Sequence, residues 1–294
     1  MNTLSSIEKP RAASAKALKR LSPFLSYGLL VVVTLLLLVP IIWLLITSLK
    51  QNIEYLSYPI VFLPAVPQWN NYAQVFAPVY NFLRHAGMTT VLAAAYSTLC
   101  VLTSALSGYA FARYRDVKAT RRLFGIIIAL LLIPSIVTMI PSFMIFAKLR
   151  LTGTYWPWIL WGLGASPYHI FLFRQFFLSF PKELEDAAEV DGCTPFGTFW
   201  RIFLPNAKAA LATSFIINFM WVWGDWLTPR IYLRADNTTL AVLVNTVFVN
   251  PQGQLLTTLT ISGIVIYTLP IVVIFFLSQR YILKGMVTSG LAGR

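Results

Sequence analysis

Charge is what this sequence has least of. Only 11% of its 294 residues are charged, and just 10 are acidic. A soluble domain carries about a quarter of its residues as Asp, Glu, Lys and Arg, so a cytosolic enzyme is excluded. Cysteine is nearly absent: Cys100 falls inside an apolar run and Cys193 in a polar connection. That leaves no disulfide framework and no spacing suited to a metal. The 15 glycines and 17 prolines are too few for a collagen-like or low-complexity chain, and 57% hydrophobic residues are too many for a disordered one. No G-x4-G-K-[S/T] phosphate loop occurs. Present instead are long hydrophobic runs, giving a mean hydropathy of +0.71. The chain is expected to be an all-α, polytopic membrane protein.

Charge-free runs measure the spans, because an ionised group at the bilayer centre costs roughly 3 kcal/mol and about 20 apolar residues cross the hydrocarbon. Six spans are predicted, at about 27–49, 86–112, 123–147, 151–173, 209–229 and 255–279. Two charge-poor stretches are not counted. Tyr55 to Leu83 carries Pro59, Pro64, Pro67 and Pro78, which no helix accommodates. Asn237 to Gln279 is too long for one span, so Asn250-Pro251-Gln252-Gly253-Gln254 is read as a turn, and the piece before it as an external loop segment. The basic run ahead of the first span resembles a signal peptide, but the apolar stretch is too long and lacks a small-residue exit, so it is read as a retained helix.

The net charge of +13 is explained by topology. The amino-terminal tail, the second and fourth connections and the carboxyl tail together hold 17 Lys and Arg, against 6 in the alternate connections. The positive-inside rule then places both termini in the cytoplasm and leaves no case for nucleic-acid binding. Residues 1–26 become a basic cytoplasmic segment, 27–280 a six-helix transmembrane domain with a cytoplasmic loop at 174–208, and 281–294 a cytoplasmic tail.

That loop holds half of the acidic residues. Pro181 suits a helix start, Glu183, Glu185 and Asp186 complement its positive end, and Gly192 suits its termination. Thr194 is a cap for a second helix begun by Pro195, and Pro205 limits that helix. The spacing Asp186-Ala187-Ala188, three residues, Gly192, nine residues, Ile202-Phe203-Leu204-Pro205 resembles the EAA motif of ABC importer permeases, E-A-A-x3-G-x9-I-x-L-P, with Asp in place of the leading Glu. Ser107-Gly108-Tyr109-Ala110-Phe111-Ala112-Arg113, Phe173-Arg174-Gln175-Phe176-Phe177 and Trp223-Gly224-Asp225-Trp226-Leu227-Thr228-Pro229 extend the likeness. They are similar to the carbohydrate-uptake branch, of the kind of the maltose importer's smaller permease subunit. Gly224 departs from the Asn usual in that branch.

The resemblance implies the ABC importer permease fold and a bacterial or archaeal cytoplasmic membrane. It implies a heterodimer with a second permease subunit, two ATP-binding-cassette ATPases and an extracytoplasmic solute-binding protein, all within membrane lipid. The chain itself binds no cofactor or metal and has no catalytic residue; ATP and Mg are held by the partner ATPase. Its coupling residues would be Glu185, Asp186, Ala187, Ala188, Asp191, Gly192, Thr194, Pro195, Ile202, Leu204 and Pro205, with small Ala187 and Ala188 allowing close approach of the partner. By the same resemblance, the segment after Arg230 reaches toward the binding protein.

For the solute path, Asn218, Trp221 and Asp225 fall at i, i+3 and i+7 on one face of the fifth span. Two readings stay open: lining of a path, or an aromatic belt with Asp225 solvated or paired with Arg230. Tyr155, Trp156, Trp158 and Trp161 read as a belt, and His169 as hydrogen-bonded within the bundle. Pro134 and Pro141 read as bends, and Ser104, Ser107 and Gly108 as sites of close helix approach. An ion-coupled secondary transporter normally has a midplane carboxylate or broken helices, and the candidate acid, Asp225, lies close to an edge; no internal repeat is evident either. A membrane enzyme lacks a clustered His, Asp or Cys site.

Overall fold

The computed structural model describes residues 10–249, 253 and 255–291, with side chains described from 26 to 279 within those limits. Asn250, Pro251, Gln252 and Gln254 of the expected turn lie outside the described residues, as do Lys9 and Arg294 of the two tails. Among the described residues the secondary structure is helical, apart from one isolated bridge between Val249 and Leu255.

Helix α1 runs Pro10–Ser48, followed by short α2 (Asn52–Leu56), α3 (Asn70–Val75) and a single 3-10 turn at Pro78–Tyr80. Then come α4 (Phe82–Arg113), α5 (Lys118–Leu130), α6 (Ser135–Lys148), α7 (Trp156–Leu163) and α8 (Pro167–Leu178). The polar loop contributes α9 (Glu183–Val190), α10 (Pro195–Thr198), a π-helical turn Phe199–Phe203 and α11 (Leu204–Asn206). The chain ends with α12 (Lys208–Gly224), α13 (Leu227–Tyr232), α14 (Leu240–Leu243) and α15 (Thr257–Leu291).

Among the described residues, three helical stretches are long and apolar enough to cross a membrane: Ser26–Ser48, Pro78–Arg113 and Thr257–Gln279. The first buries none of its apolar window against the rest of the chain, so it presents hydrophobic side chains outward on all sides. The run 123–147 belongs to two helices, α5 and α6, that meet at 101°. Pro134 accounts for the position of the break: it forces the residue before it out of the helical region, and α6 restarts just after it. Pro141, inside α6, leaves that helix continuous.

The run 151–173, expected as one helix, is also divided. Residues 151–155 turn before α7 starts, and Ala165 takes φ +60° between α7 and α8, with extended Ser166 leading into Pro167. Such a break is tolerated at membrane depth only where its backbone groups find partners. Helix α4 supplies them: Thr103 Oγ1 donates to the Gly162 carbonyl at 2.9 Å, and Ser166 N donates to Ser104 Oγ at 3.0 Å.

Helix α4 is the centre of the bundle, packed chiefly against α8, α12 and α7. A Cβ on Gly108 would lie 2.7 Å from Phe173 Cβ and 2.9 Å from the Arg174 backbone nitrogen, so α8 sits at the distance only glycine allows. The segment before residue 250 departs from its sequence reading. It was expected as an exposed external loop, yet Leu240, Ala241, Val242, Leu243, Val244 and Phe248 are buried. His85 Nδ1 donates to the Thr238 carbonyl at 2.8 Å, and Leu240 N donates to Thr89 Oγ1 at 2.8 Å. Its apolar content, masked in the sequence by flanking Asn and Thr, is what takes it inward.

Gly108→Leu is expected to lower stability by about 1–3 kcal/mol through overpacking against α8. Gly125→Leu, where a Cβ meets nothing within 4 Å, should be neutral or gain helix propensity. Thermal unfolding of the two variants in detergent checks the contrast.

Candidate functional site

Two regions carry the polar chemistry, and the same helices run through both. The first is the loop between α8 and α12. Helix α9 has Glu183, Glu185 and Asp186 in its first turn, where carboxylates favour the positive end of a helix. Asp191 caps its far end, and Gly192 follows at φ +74°. Gly192 N donates to Glu189 O at 3.0 Å and Cys193 N to Ala188 O at 2.9 Å, a Schellman closure that needs a left-handed residue at this position. Thr194 Oγ1 accepts from Gly197 N at 3.2 Å and caps α10, with Pro195 at its first position.

This helix–turn–helix unit is fastened to α4. Glu185 pairs with Arg113 at 2.9 Å, and Arg113 also donates to the Tyr109 hydroxyl at 3.3 Å. The Tyr109 ring packs against Phe177, Phe199 and Phe203, with centroids 6.1, 5.4 and 4.8 Å away. Ile202 and Leu204 are half-buried beside this cluster, whereas Pro205 is exposed where the chain bends by 79° into α12. The π-helical turn at Phe199–Phe203 turns both Phe199 and Phe203 inward, each 1% exposed.

The outward face of the loop differs from the sequence reading. Ala188, expected to admit a partner, is 1% exposed and packs within the chain. Asp186 and Ala187 are exposed, and the large apolar groups left uncovered nearby are Leu184, Val190, Phe196 and Trp200. Phe196 and Trp200 stack at 6.0 Å with 10° between their planes. Their i, i+4 spacing was the available signal.

The second region is a cavity of about 780 Å³ between α4, α6, α7, α8, α12 and α13. Asn218, Trp221 and Asp225 all lie on its wall. Asn218 is buried and donates from Nδ2 to His169 Nε2 at 3.3 Å, which leaves His169 Nδ1 without a partner among the described residues. Trp221 is 75% exposed. Asp225 Oδ1 accepts from Thr228 N at 3.0 Å, fixing the turn between α12 and α13; it forms no ion pair with exposed Arg230.

Several lining residues escaped the sequence reading. Ser135, Thr138 and Ser142 of α6 face the cavity with the same i, i+3, i+7 spacing as the α12 stripe. Trp158 and Trp161, read as a belt, line the cavity and pack edge-on against Tyr232 at 6.2 and 5.2 Å. Trp158 is 2% exposed, and only Trp156 of that group is open. Tyr168 and His169 complete the wall near the α7–α8 break. Aromatic faces, hydroxyls, one amide and one carboxylate thus converge, and no Lys or Arg is among the lining residues. Among the described residues, no group of His, Cys, Asp and Glu is arranged to hold a metal ion.

Comparison with known proteins places residues 101–288 within a family model described as "Binding-protein-dependent transport system inner membrane component". The chain is 30% identical over 94% of its length to the arabinooligosaccharides transport system permease protein AraQ of Halalkalibacterium halodurans, of which it covers 99%. It is 31% identical over 92% of its length to the lactose transport system permease protein LacG of Rhizobium radiobacter, covering 97% of that protein. In fold it is similar to a chain from the crystal structure of a bacterial ABC transporter involved in the import of the acidic polysaccharide alginate. The TM-score is 0.75 at 21% identity, over 96% of this chain and 99% of the other.

Both side chains of the Arg113–Glu185 pair are about four-fifths buried, so a double-mutant cycle with Arg113→Gln and Glu185→Gln should give a coupling energy of about 1 kcal/mol that shrinks in high salt. Chemical or thermal unfolding at two salt concentrations provides the measurement, and additive single effects would remove the clasp.

Proposed function

The chain belongs to the family of binding-protein-dependent transport system inner membrane components, and on that premise we propose that it forms half of the pathway by which an uncharged sugar or oligosaccharide is imported. The observation that carries the solute reading is the lining of the cavity. Indole and phenol faces suit the C–H surfaces of a sugar ring, while Ser135, Thr138, Ser142 and Asn218 exchange hydrogen bonds with hydroxyls. A lone carboxylate, Asp225, with no cation on the wall, disfavours an anionic solute. The arabinooligosaccharide and lactose permeases among the relatives support a carbohydrate.

In this reading six spans cross the cytoplasmic membrane at about 27–49, 86–112, 123–147, 151–173, 209–229 and 255–279, with both termini cytoplasmic. The distribution of Lys and Arg supports the orientation. Breaks in the third and fourth spans are no obstacle, since non-helical backbone is tolerated where it lines a cavity. The chain pairs with a second permease subunit. Of two ATPases, which hold ATP and Mg, one docks on the loop 174–208, and a solute-binding protein delivers cargo at the opposite face.

The mechanism follows from continuity. Exposed Ala187, Val190, Phe196 and Trp200 enter a cleft of the ATPase, and ATP-driven closure displaces α9 and α10. Because Arg113 and Tyr109 tie that unit to α4, and α11 leads directly into α12, the displacement reaches α4 and α12, two of the six helices that bear cavity residues. Tyr96 moves with α4, and Asn218, Trp221 and Asp225 with α12. The cavity then changes the side to which it opens.

Gly192→Val separates coupling from folding. A Cβ there meets nothing within 4 Å, so the variant carries only the backbone penalty of about 1–2 kcal/mol for a left-handed residue. It should insert and assemble at normal levels, while ATP-dependent uptake falls at least tenfold. Normal uptake, or uptake driven by a proton or sodium gradient without ATP, would overturn the importer reading. For the cavity, Asp225→Lys in the assembled transporter should raise ATP hydrolysis stimulated by uronate oligosaccharides relative to neutral ones; an unchanged ratio would remove Asp225 from the path.

A further inference from the structure

A second recess of about 240 Å³ lies outside the cavity, at the Arg113 end of α4. Its walls include Phe111, Arg115, Asp116, Arg121, Phe124 and Arg174. Three guanidinium groups therefore face one small space with a single carboxylate between them. That carboxylate does little: Arg115 and Asp116 approach only to 3.9 Å, with side chains 58% and 91% exposed. Among the described residues Arg121 and Arg174 form no ion pair. By contrast, Arg113 nearby is neutralised by Glu185.

Arg174 is held in place without being neutralised. Its Nε donates to the Phe111 carbonyl at 3.3 Å, and its guanidinium lies 4.1 Å above the Phe124 ring. Like charges gathered this way repel, and the arrangement is stabilised when an anion joins them. The surroundings identify the kind of anion. The recess marks the end of a 28-residue charge-free run, His85 to Ala112, where hydrocarbon gives way to headgroups. Leu123 and Ile126 of α5, on the turns next to Arg121 and Phe124, are 55% and 57% exposed. A polar, cationic recess thus adjoins an outward apolar strip. The volume suits a phosphate with a few waters, each of which occupies about 30 Å³ in the liquid.

We propose that this recess binds the phosphodiester headgroup of an anionic phospholipid, with Arg115, Arg121 and Arg174 around the phosphate and the acyl chains along Leu123 and Ile126. The lipid would brace the α4–α5 turn against α8, beside the clasp that holds the polar loop. The proposal does not depend on which solute is carried.

The test uses the detergent-purified, assembled transporter and native mass spectrometry after exchange into mixed micelles of phosphatidylglycerol and phosphatidylcholine. Wild type should retain phosphatidylglycerol at least fivefold over phosphatidylcholine. Each basic group near an anionic surface contributes about a factor of five, so Arg115→Gln with Arg121→Gln, both exposed positions, should bring that preference down to near unity with assembly unchanged. Arg174→Lys keeps the charge but not the planar stack, and should fall in between. Equal retention of the two lipids by wild type, or a double variant that retains phosphatidylglycerol like wild type, would overturn the proposal. So would displacement of the lipid by millimolar inorganic phosphate, which would make the site one for a free anion. A double variant that sheds its cytoplasmic partner yet keeps the lipid preference would assign the recess to that partner instead.

Discussion

The fit of α8 against the Gly108 face of α4 is the constraint on which the rest of the arrangement depends. Once Phe173 lies against that glycine, Phe177 is brought to Tyr109, and the same ring receives Phe199 and Phe203 from beyond the polar loop. The loop therefore does not dangle from the bundle. It is held to α4 by an aromatic cluster in which each edge-on or tilted pair contributes about 0.5–1.5 kcal/mol beyond area burial. The Arg113–Glu185 ion pair closes the gap at the rim. Inside hydrocarbon, where apolar burial offers little driving force between helices, such close contacts and interhelical hydrogen bonds are what fix positions.

The same α4 also repairs the damage done by the break between α7 and α8. Its Thr103 and Ser104 side chains satisfy backbone groups that an unbroken helix would have satisfied itself. The break places Tyr168 and His169 on the cavity wall, so an irregularity in the chain and a polar site arise together. On the opposite wall, α12 is steadied by α15: Trp223 Nε1 donates to the Tyr267 carbonyl at 3.2 Å, and the Tyr267 hydroxyl donates to the Trp223 carbonyl at 2.7 Å.

Much of this was legible in the residues. Local rules suffice where a feature is determined by neighbours in sequence, so Gly192, Thr194 and Pro195 act in the structure as their types suggest, and the Asn218, Trp221, Asp225 stripe faces a common space. Pro134 marks a true break, although Pro141 does not. What was not legible depends on partners distant in the chain. Ala188 looks like a surface residue until α9 is laid against the bundle, and Trp158 looks like a belt residue until Tyr232 is brought to it. The α6 stripe of Ser135, Thr138 and Ser142 had the same spacing as the α12 stripe, but hydroxyls in an apolar run also bond to their own helix, as Thr138 does to the Ser135 carbonyl. Leu240 to Leu243 was missed because its flanks are polar and its burial is set by α4.

That buried segment acts on the far end of the bundle as a latch. It lies against α4 and α12, with the Thr238 carbonyl bound by His85 and the Leu240 amide by Thr89. Both bonds run to α4, so lifting the segment off that helix breaks them, at a cost of about 1 kcal/mol each when water replaces them. It also bares Leu240, Ala241 and Leu243. Drawing this strip of chain out of its seat on α4 is thus opposed by two hydrogen bonds and by the apolar surface it would uncover.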